Sequence, residues 1–388
     1  MNRLWDFVFD KLYCEKTGLI YENITEYSRG GNIRNLPTPE QIRLQVPNPC
    51  SWGTGMEDSM INAGIMLDAV LDRYEVTRDP SMKEYADKLL KGIYLCSSVH
   101  NRRGFLVRSV SPEDGKSYYI NTSRDQYTHV IYSLVRFIHS ELCDKAQKEH
   151  ICSLVTGYAD RCRQEATEQN GYQLLRADGK RGLVCRMWNV APHEALRLPM
   201  FYLAGYICSG DNEFLELYKK YRDEGISKTL EKHTAVDMNI LLQAQYSARL
   251  LYDYDPEYRE RYKEVLLFNA KNAKAFVVDS FEQFNKENVN ALATKWYDCP
   301  MRYEWGHIVT EGYDYPIPRE PIRYFTLPLR CLGSAITAVT LANEKPTADQ
   351  LMQFDKAVSL FDYEKHAAVL PIHLISAYWA NEKINKGE

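Results

Sequence analysis

The sequence predicts an all-α protein of six helical hairpins closed into an (α/α)6 barrel, and three observations carry that prediction. Segments of 3.6-residue hydrophobic period follow one another along nearly the whole chain, and in each pair the second member is more apolar than the first. Short turns at Asp79-Pro80, Gly210-Asp211, Asp255-Pro256 and Lys345-Pro346 join some of them, and long polar, aromatic stretches at 14–53, 100–122, 170–192 and 277–321 join the others. Each long stretch runs from a charged outer helix to the next apolar inner one, so all four converge on one rim, where functional loops are expected.

In chain order, residues 2–13 read as the first helix, ended by the break at Gly18. Its partner, 57–74, carries Met60, Ile61, Ile65, Leu67, Val70 and Leu71 on more than one face, as a helix buried on both sides does. The remaining pairs are 81–99 with 123–141, 144–168 with 193–209, 212–229 with 235–252, 257–275 with 322–343, and 348–361 with 366–382. The pairs lack the fixed period of an open helical solenoid, which favours the closed ring. Residues 104–119 read as a small β-hairpin over the mouth: Phe105, Val107 and Val110, a turn at 112–115, then Tyr118-Tyr119. Leu198-Pro199, Leu327-Pro328 and Leu370-Pro371 read as helix-start prolines or kinks.

A length of 388 residues exceeds the usual single core, yet no linker, low-complexity run or change of composition offers a boundary. One toroid over 1–388 is therefore expected. A net charge of −4 with interspersed signs gives no basic stripe for nucleic acid. The ten cysteines are scattered without a C-x-x-C pair, and Cys96, Cys143, Cys208 and Cys331 lie in apolar helical contexts as small hydrophobes. That usage fits a reducing compartment. The Met-Asn-Arg-Leu-Trp-Asp-Phe start has no signal-peptide core and no apolar run reaches membrane-spanning length, so a cytoplasmic location without membrane contact is expected. No H-x-x-x-H pair, phosphate loop or nucleophile elbow is present, so neither metal nor cofactor is expected.

The inner-helix N-termini present unpaired N–H groups and partial positive charge to a shared pocket. Thr54-x-x-Glu57, Ser123-x-x-Gln126 and Thr234-x-x-Asp237 have capping-box spacing, which assigns Glu57, Gln126 and Asp237 local structural work. Asp58 and Asp125 have no such task and stand at the start of successive inner helices. First-turn acids often do no more than complement the helix dipole, worth about 0.3–1 kcal/mol each. Two of them beneath aromatic loops make the minimum pair for glycosidic acid–base chemistry, one protonated and one ionised. Trp52, Trp188, Trp296 and Trp305 lie in the long loops, where they either pin loops to the barrel or stack on the apolar faces of sugar rings. Residues 296–307 gather Trp296, Tyr303, Glu304, Trp305 and His307 into one candidate substrate loop. His193-Glu194, His233 and His366 open three further inner helices; a lone His is more often structural, but several at inner ends keep an imidazole mechanism open.

On these residues the chain resembles the six-hairpin glycosidase superfamily over nearly its whole length. It is most similar there to the unsaturated glucuronyl hydrolases and unsaturated rhamnogalacturonyl hydrolases. Asp58 and Asp125 stand where the two aspartates of those enzymes would, and Ser123-Arg-Asp-Gln-Tyr, with Arg124, is similar to one of their Arg-x-Gln segments. The resemblance implies aspartates that protonate a vinyl ether and activate water, with an acidic oligosaccharide as substrate; a homodimer is allowed by it. Glu57 stands before Asp58 where those enzymes often have His. A second resemblance is to the N-acylglucosamine and cellobiose 2-epimerases, which implies His233 and His366 as acid and base; Met238-Asn239 follows similarly, but a His-Ser-Tyr-Gly-His-like segment is absent. A non-catalytic sugar-binding barrel would keep the tryptophan loops without needing either aspartate. The hydrolase expectation is preferred because the aspartates adjoin the longest aromatic loops, whereas the loops before His233 and His366 are short.

Overall fold

The structure is a computed structural model that describes residues 1–22, 36–231, 236–279, 304–310, 313–319, 323–360 and 371–387. A first helix, α1 (Asn2–Phe7), runs into a π-helical turn (Val8–Leu12) and a two-residue strand pair, β1 (Tyr13–Cys14) with β2 (Leu19–Ile20). A short helix α2 (Pro39–Arg43), closed by the capping box of Thr38 and Gln41, precedes the long helices. These are α3 (Ser59–Thr77), α4 (Met82–Ser98), α5 (Arg124–Phe137) and α6 (Lys145–Glu165). The hairpin β3 (Gln173–Leu175)–β4 (Arg181–Arg186) leads to α7 (Arg197–Ser209), α8 (Asn212–Thr229), α9 (Met238–Tyr254) and α10 (Arg259–Lys274). A second hairpin, β5 (Glu304–Thr310)–β6 (Tyr313–Arg319), precedes α11 (Arg323–Thr340), α12 (Ala348–Leu360) and α13 (Ile372–Lys386).

The inner helices pack in ring-like order. α3 lies against α5, α5 against α7 and α9, α9 against α11, α11 against α13, and α13 returns to α3. The outer helices back them, α4 on α3, α6 and α8 on α7, α10 on α9 and α11, α12 on α11. Burial follows the same division: every residue of α3 from Ser59 to Asp72 is buried, whereas α8 and α10 bury one stripe each. Trp5 of α1 is fully buried, edge-on to Tyr85 of α4 at 5.3 Å and to Trp379 of α13 at 6.5 Å, with the Arg73 guanidinium 4.5 Å from its ring centre. The first outer helix thus touches both the second outer helix and the last inner one.

Glycines set two of the inner crossings. A Cβ on Gly64 of α3 would stand 2.7 Å from the His129 carbonyl of α5, and one on Gly333 of α11 would stand 2.5 Å from the His373 carbonyl of α13. Backbone-to-backbone approach at these points admits no larger residue.

Two local expectations are corrected. Residues 104–119 form no β-hairpin, although Phe105, Leu106, Val107 and Val110 are buried as their pattern requires. Their backbone groups are satisfied by helices instead: Leu106 N–H donates to the Tyr127 hydroxyl at 2.9 Å and Val107 N–H to the Cys96 carbonyl at 3.1 Å. α7 starts at Arg197 rather than at 193, because Pro192–Glu194 forms a separate 3-10 turn before it.

Candidate active site at the inner-helix N-termini

Asp58 is the N-cap residue of α3, but its side chain bonds none of its own helix's N–H groups. That task falls to Gln126 of α5, whose Oε1 accepts from the Met60 and Ile61 N–H groups, both at 3.1 Å. The Ser123 hydroxyl caps α5 as its spacing predicts, accepting from Gln126 N–H at 3.4 Å, but the Gln126 side chain crosses to the neighbouring helix instead of closing a box. Asp237 is itself the cap of α9, accepting from Asn239 N–H at 2.8 Å.

Freed from capping, the Asp58 carboxylate is buried among donors. Gln126 Nε2 donates to it at 2.9 Å, Arg108 Nη2 at 3.2 Å, and both terminal nitrogens of Arg330 at 3.4 Å. Burial alone would raise its pKa; Arg330 and Arg108 outweigh that and hold the carboxyl below the ordinary aspartate range. Asp58 is therefore an anion that fixes two guanidinium groups and is not a proton donor near neutral pH. Arg330 Nε in turn donates to Asn239 Oδ1 at 3.0 Å, which also accepts from Ser334 Oγ at 2.9 Å; Ser334 is 2.9 Å from His373 Nδ1.

Asp125, one residue before Gln126, faces a second guanidinium group. Arg197 Nη1 donates to it at 2.8 Å and to Glu194 at 3.3 Å, while Arg124 Nη2 also bonds Glu194. The Arg197 side chain is buried and that of Asp125 keeps 25% of its surface exposed, more than Asp58, Glu194 or Glu22. For Glu194, burial raises the carboxyl and the charges of Arg197 and Arg124 outweigh it, leaving it below its usual range. Arg108 feels Asp58, Glu57 and Asp125 together, so the two clusters share one electrostatic environment.

The axis between them holds imidazoles. His129 is buried and neutral: burial first, then Arg330 and Arg197, bring its pKa down to about 3. His373 is held well below its ordinary value by burial, Arg330 and His129. Several buried N–H donors have no hydrogen-bond partner among the described residues, namely Arg108 Nη1, Arg124 Nε and Arg197 Nε, and neither does the His129 Nδ1 atom. Unpaired buried donors at about 1–3 kcal/mol each are expensive to keep unless something accepts from them.

The sequence-predicted residues divide into three groups. Asp58, Asp125, Arg124 and Glu194 enter the clusters just described. Glu194 and His193 sit on the 3-10 turn before α7, where His193 adds its charge to the environment of Glu194. Trp52 is buried against Cys50 and Leu183, and Trp188 packs edge-on against Tyr221 at 4.7 Å, so each leaves less than a tenth of its surface to solvent. Trp296, Tyr303, His233 and His366 lie outside the described residues, and Glu304, Trp305 and His307 are described by backbone alone, paired with Arg319, Pro318 and Pro316. Sequence reading missed Arg108, Arg197, Arg330, His129 and His373. Arg330 and His373 stand within apolar stretches of their inner helices, which is the one local signal either offers; Arg108, on the loop before α5, offers none.

At the opposite end, where the inner helices finish, the described residues enclose a cavity of about 490 Å³ lined by Glu75, Arg136, His139, Arg249, Tyr254 and Lys383 among others. Its charges are paired with one another: Arg136 bonds Asp68, Asp72 at 2.9 Å and Glu75 at 2.8 Å, and Lys383 lies 3.1 Å from Asp72. Among the described residues no group of three or more His, Cys, Asp or Glu gathers as a metal site, and no helix is long and apolar enough to cross a membrane. No protein-family model matches the chain, and no curated protein matches it.

Proposed function

We propose that the chain is an (α/α)6-toroid glycoside hydrolase acting on oligosaccharides that carry a uronic acid, unsaturated uronides foremost. The observation that carries this reading is the part-exposed Asp125 set beside Arg124 and Arg197, each of which brings a buried N–H donor with no hydrogen-bond acceptor among the described residues to an end of the barrel already rich in carboxylates. Guanidinium donors match a substrate carboxylate geometrically and stay charged at every working pH. Asp125 is the proton-transfer group. It protonates the alkene carbon of the vinyl ether and takes a proton from the water that adds to the adjacent, oxygen-bearing carbon; the hydrated ring then opens and releases the second sugar. Asp58 is a positioning residue that holds Arg108 and Arg330. The resemblance to unsaturated glucuronyl and rhamnogalacturonyl hydrolases and the ring-like packing support the same reading, with Trp296, Trp305 and their neighbours as the substrate loop and one domain over the whole chain.

Incubation with unsaturated uronyl disaccharides, read by mass and by the ultraviolet absorbance of the conjugated alkene, tests it. A cleaved pair with loss of absorbance is the expected result. An isomer of unchanged mass would instead place the chemistry with the 2-epimerases and with His233 and His366. Binding without turnover would make the chain a sugar-binding barrel.

A further inference from the structure

The cavity at the C-terminal end of the inner helices is one lobe of a larger cleft. A second hollow, of about 610 Å³, shares Glu75, Arg78, Asn343, Lys383 and Ile384 with it, and Lys386 helps to line it. The walls of this second hollow come from the ends of α3 and α13, so it is the outer lobe, whereas the inner lobe reaches back to Asp72, Tyr132 and Arg136. Each lobe has the size of a small-molecule site, about 300–1,000 Å³.

The lobes differ in charge. Around the inner one, Arg78, Arg136, Arg249 and Lys383 face Asp72, Glu75, Glu141 and Asp253, four cations to four carboxylates, each within a salt bridge. An ion entering there would have to break one of those pairs, but a hydroxylated ring adds hydrogen bonds to their free edges. Arg249 offers such an edge. Its Nε donates to Asp253 and its Nη1 to the Leu341 carbonyl and to Asn343, all at 3.0 Å, which leaves Nη2 without an acceptor among the described residues. The half-buried rings of Tyr74 and Tyr254 add apolar surface for sugar C–H groups. The outer lobe is unbalanced: Arg78, Lys383 and Lys386 stand against Glu75 alone. Arg78 keeps 61% of its side-chain surface exposed, and Lys386 is exposed as well. Cations at helix C-termini complement the dipole, but that role needs no hollow between them.

We propose that this cleft is a second, non-catalytic site for an anionic sugar, with the ring in the inner lobe and its carboxylate or phosphate against Arg78 and Lys386 in the outer one. The hydroxyls meet both donors and acceptors, and the anion answers the excess of cations. No residue of the cleft belongs to the Asp58 or Asp125 cluster, so occupancy here does not require turnover at the other end.

Amide hydrogen exchange of the full-length chain, read in peptides covering 71–78 and 380–387, tests this with glucuronic acid, glucose 6-phosphate, glucose and inorganic phosphate at millimolar concentration. At least one of the anionic sugars should slow exchange in both segments, and the one that acts at lower concentration shows whether the site takes a carboxylate or a phosphate. Glucose should need about tenfold more, because it lacks the charge-assisted hydrogen bonds, and inorganic phosphate should have no effect. Arg78→Gln with Lys386→Gln removes two exposed cations without touching the core, and should bring the anionic sugars down to the level of glucose. Protection by inorganic phosphate would mean an adventitious ion only and overturns the proposal. Equal action of glucose, unchanged binding in the double variant, or no protection by any of the four overturns it too.

Discussion

The two ends of the helical ring use the same residue types and opposite logic. Where the inner helices finish, cations stand with the helix dipoles: Arg136 lies in the last turn of α5 and Lys383 in the last turn of α13, each paired to carboxylates of α3. Where the inner helices begin, Asp58 and Asp125 agree with the dipole, but Arg124 and Arg197 are the first residues of α5 and α7 and oppose it. A cation at a helix N-terminus is disfavoured by about 0.3–1 kcal/mol, and here its unpaired N–H groups add to the cost. Local rules broken without a local gain mark sites that serve something other than folding. The cavity at the C-terminal end is lined by charges that satisfy one another, so hollow volume alone does not mark a reactive site there.

The comparison is sharpest in substitutions. Asp125→Asn should lower turnover by about 10²–10⁴-fold, the usual range for a general acid–base group, with urea unfolding little changed. Unaltered turnover would remove Asp125 from the chemistry. Arg136→Ala at the other end should do the reverse. It removes the guanidinium partner of buried Asp68, leaves Asp72 with Lys383 alone and costs about 3–5 kcal/mol of stability by urea denaturation, while activity per folded molecule is kept. A variant as stable as the parent would show that end to be loosely hydrated.

Gln126→Ala joins the two themes, because it removes both the cap of α3 and a donor to Asp58. A loss of about 1–2 kcal/mol is expected from unfolding curves, with a further fall in activity as Asp58 and Arg108 lose their geometry. The smallest effect is in the pH profile. Burial first, and Asp72 beside it, push the Asp68 carboxyl up to about 6 against the pull of Arg136. The folded state then binds the proton more tightly than the unfolded one, so this group's contribution to stability is present below about pH 4 and is lost as pH rises through about 6. Asp58, Asp72 and Glu194 run the other way, stabilising above the unfolded carboxyl range and failing as pH falls below it. Asp68→Asn should therefore gain stability relative to the parent between those pH values, and an unchanged difference from pH 4 to 7 would place its pKa elsewhere.

What the sequence made legible follows from range. Periodicity and turn residues place most of the long helices within a few residues, 144–168 against Lys145–Glu165 and 257–275 against Arg259–Lys274, because those signals are local; the last, expected at 366–382, is described as Ile372–Lys386. The acidic half of the site was legible for the same reason, since Asp58 and Asp125 sit at helix starts. Its basic half, Arg124 excepted, was not: Arg197 reaches Asp125 across 72 residues and Arg330 reaches Asp58 across 272, and no local pattern encodes such pairs. The hairpin at 304–319 was hidden by Pro316 and Pro318, which argue against a strand, yet β6 accommodates them opposite His307 and Trp305. At 104–119 the alternation was real and the partner was wrong, because Tyr127 and Cys96 took up the backbone groups a second strand would have used.

The central claim is that the arginine-bearing start of the inner helices recognises and cleaves an acidic sugar. Comparing kcat/KM for an unsaturated uronyl disaccharide with that for its methyl ester tests it most directly, since the two differ only in the charge the guanidinium groups would meet. The account predicts that esterification lowers kcat/KM by at least about 10²-fold, as expected where a substrate group leaves buried polar partners unmatched. Equal values for acid and ester, or activity on neutral disaccharides alone, would contradict it.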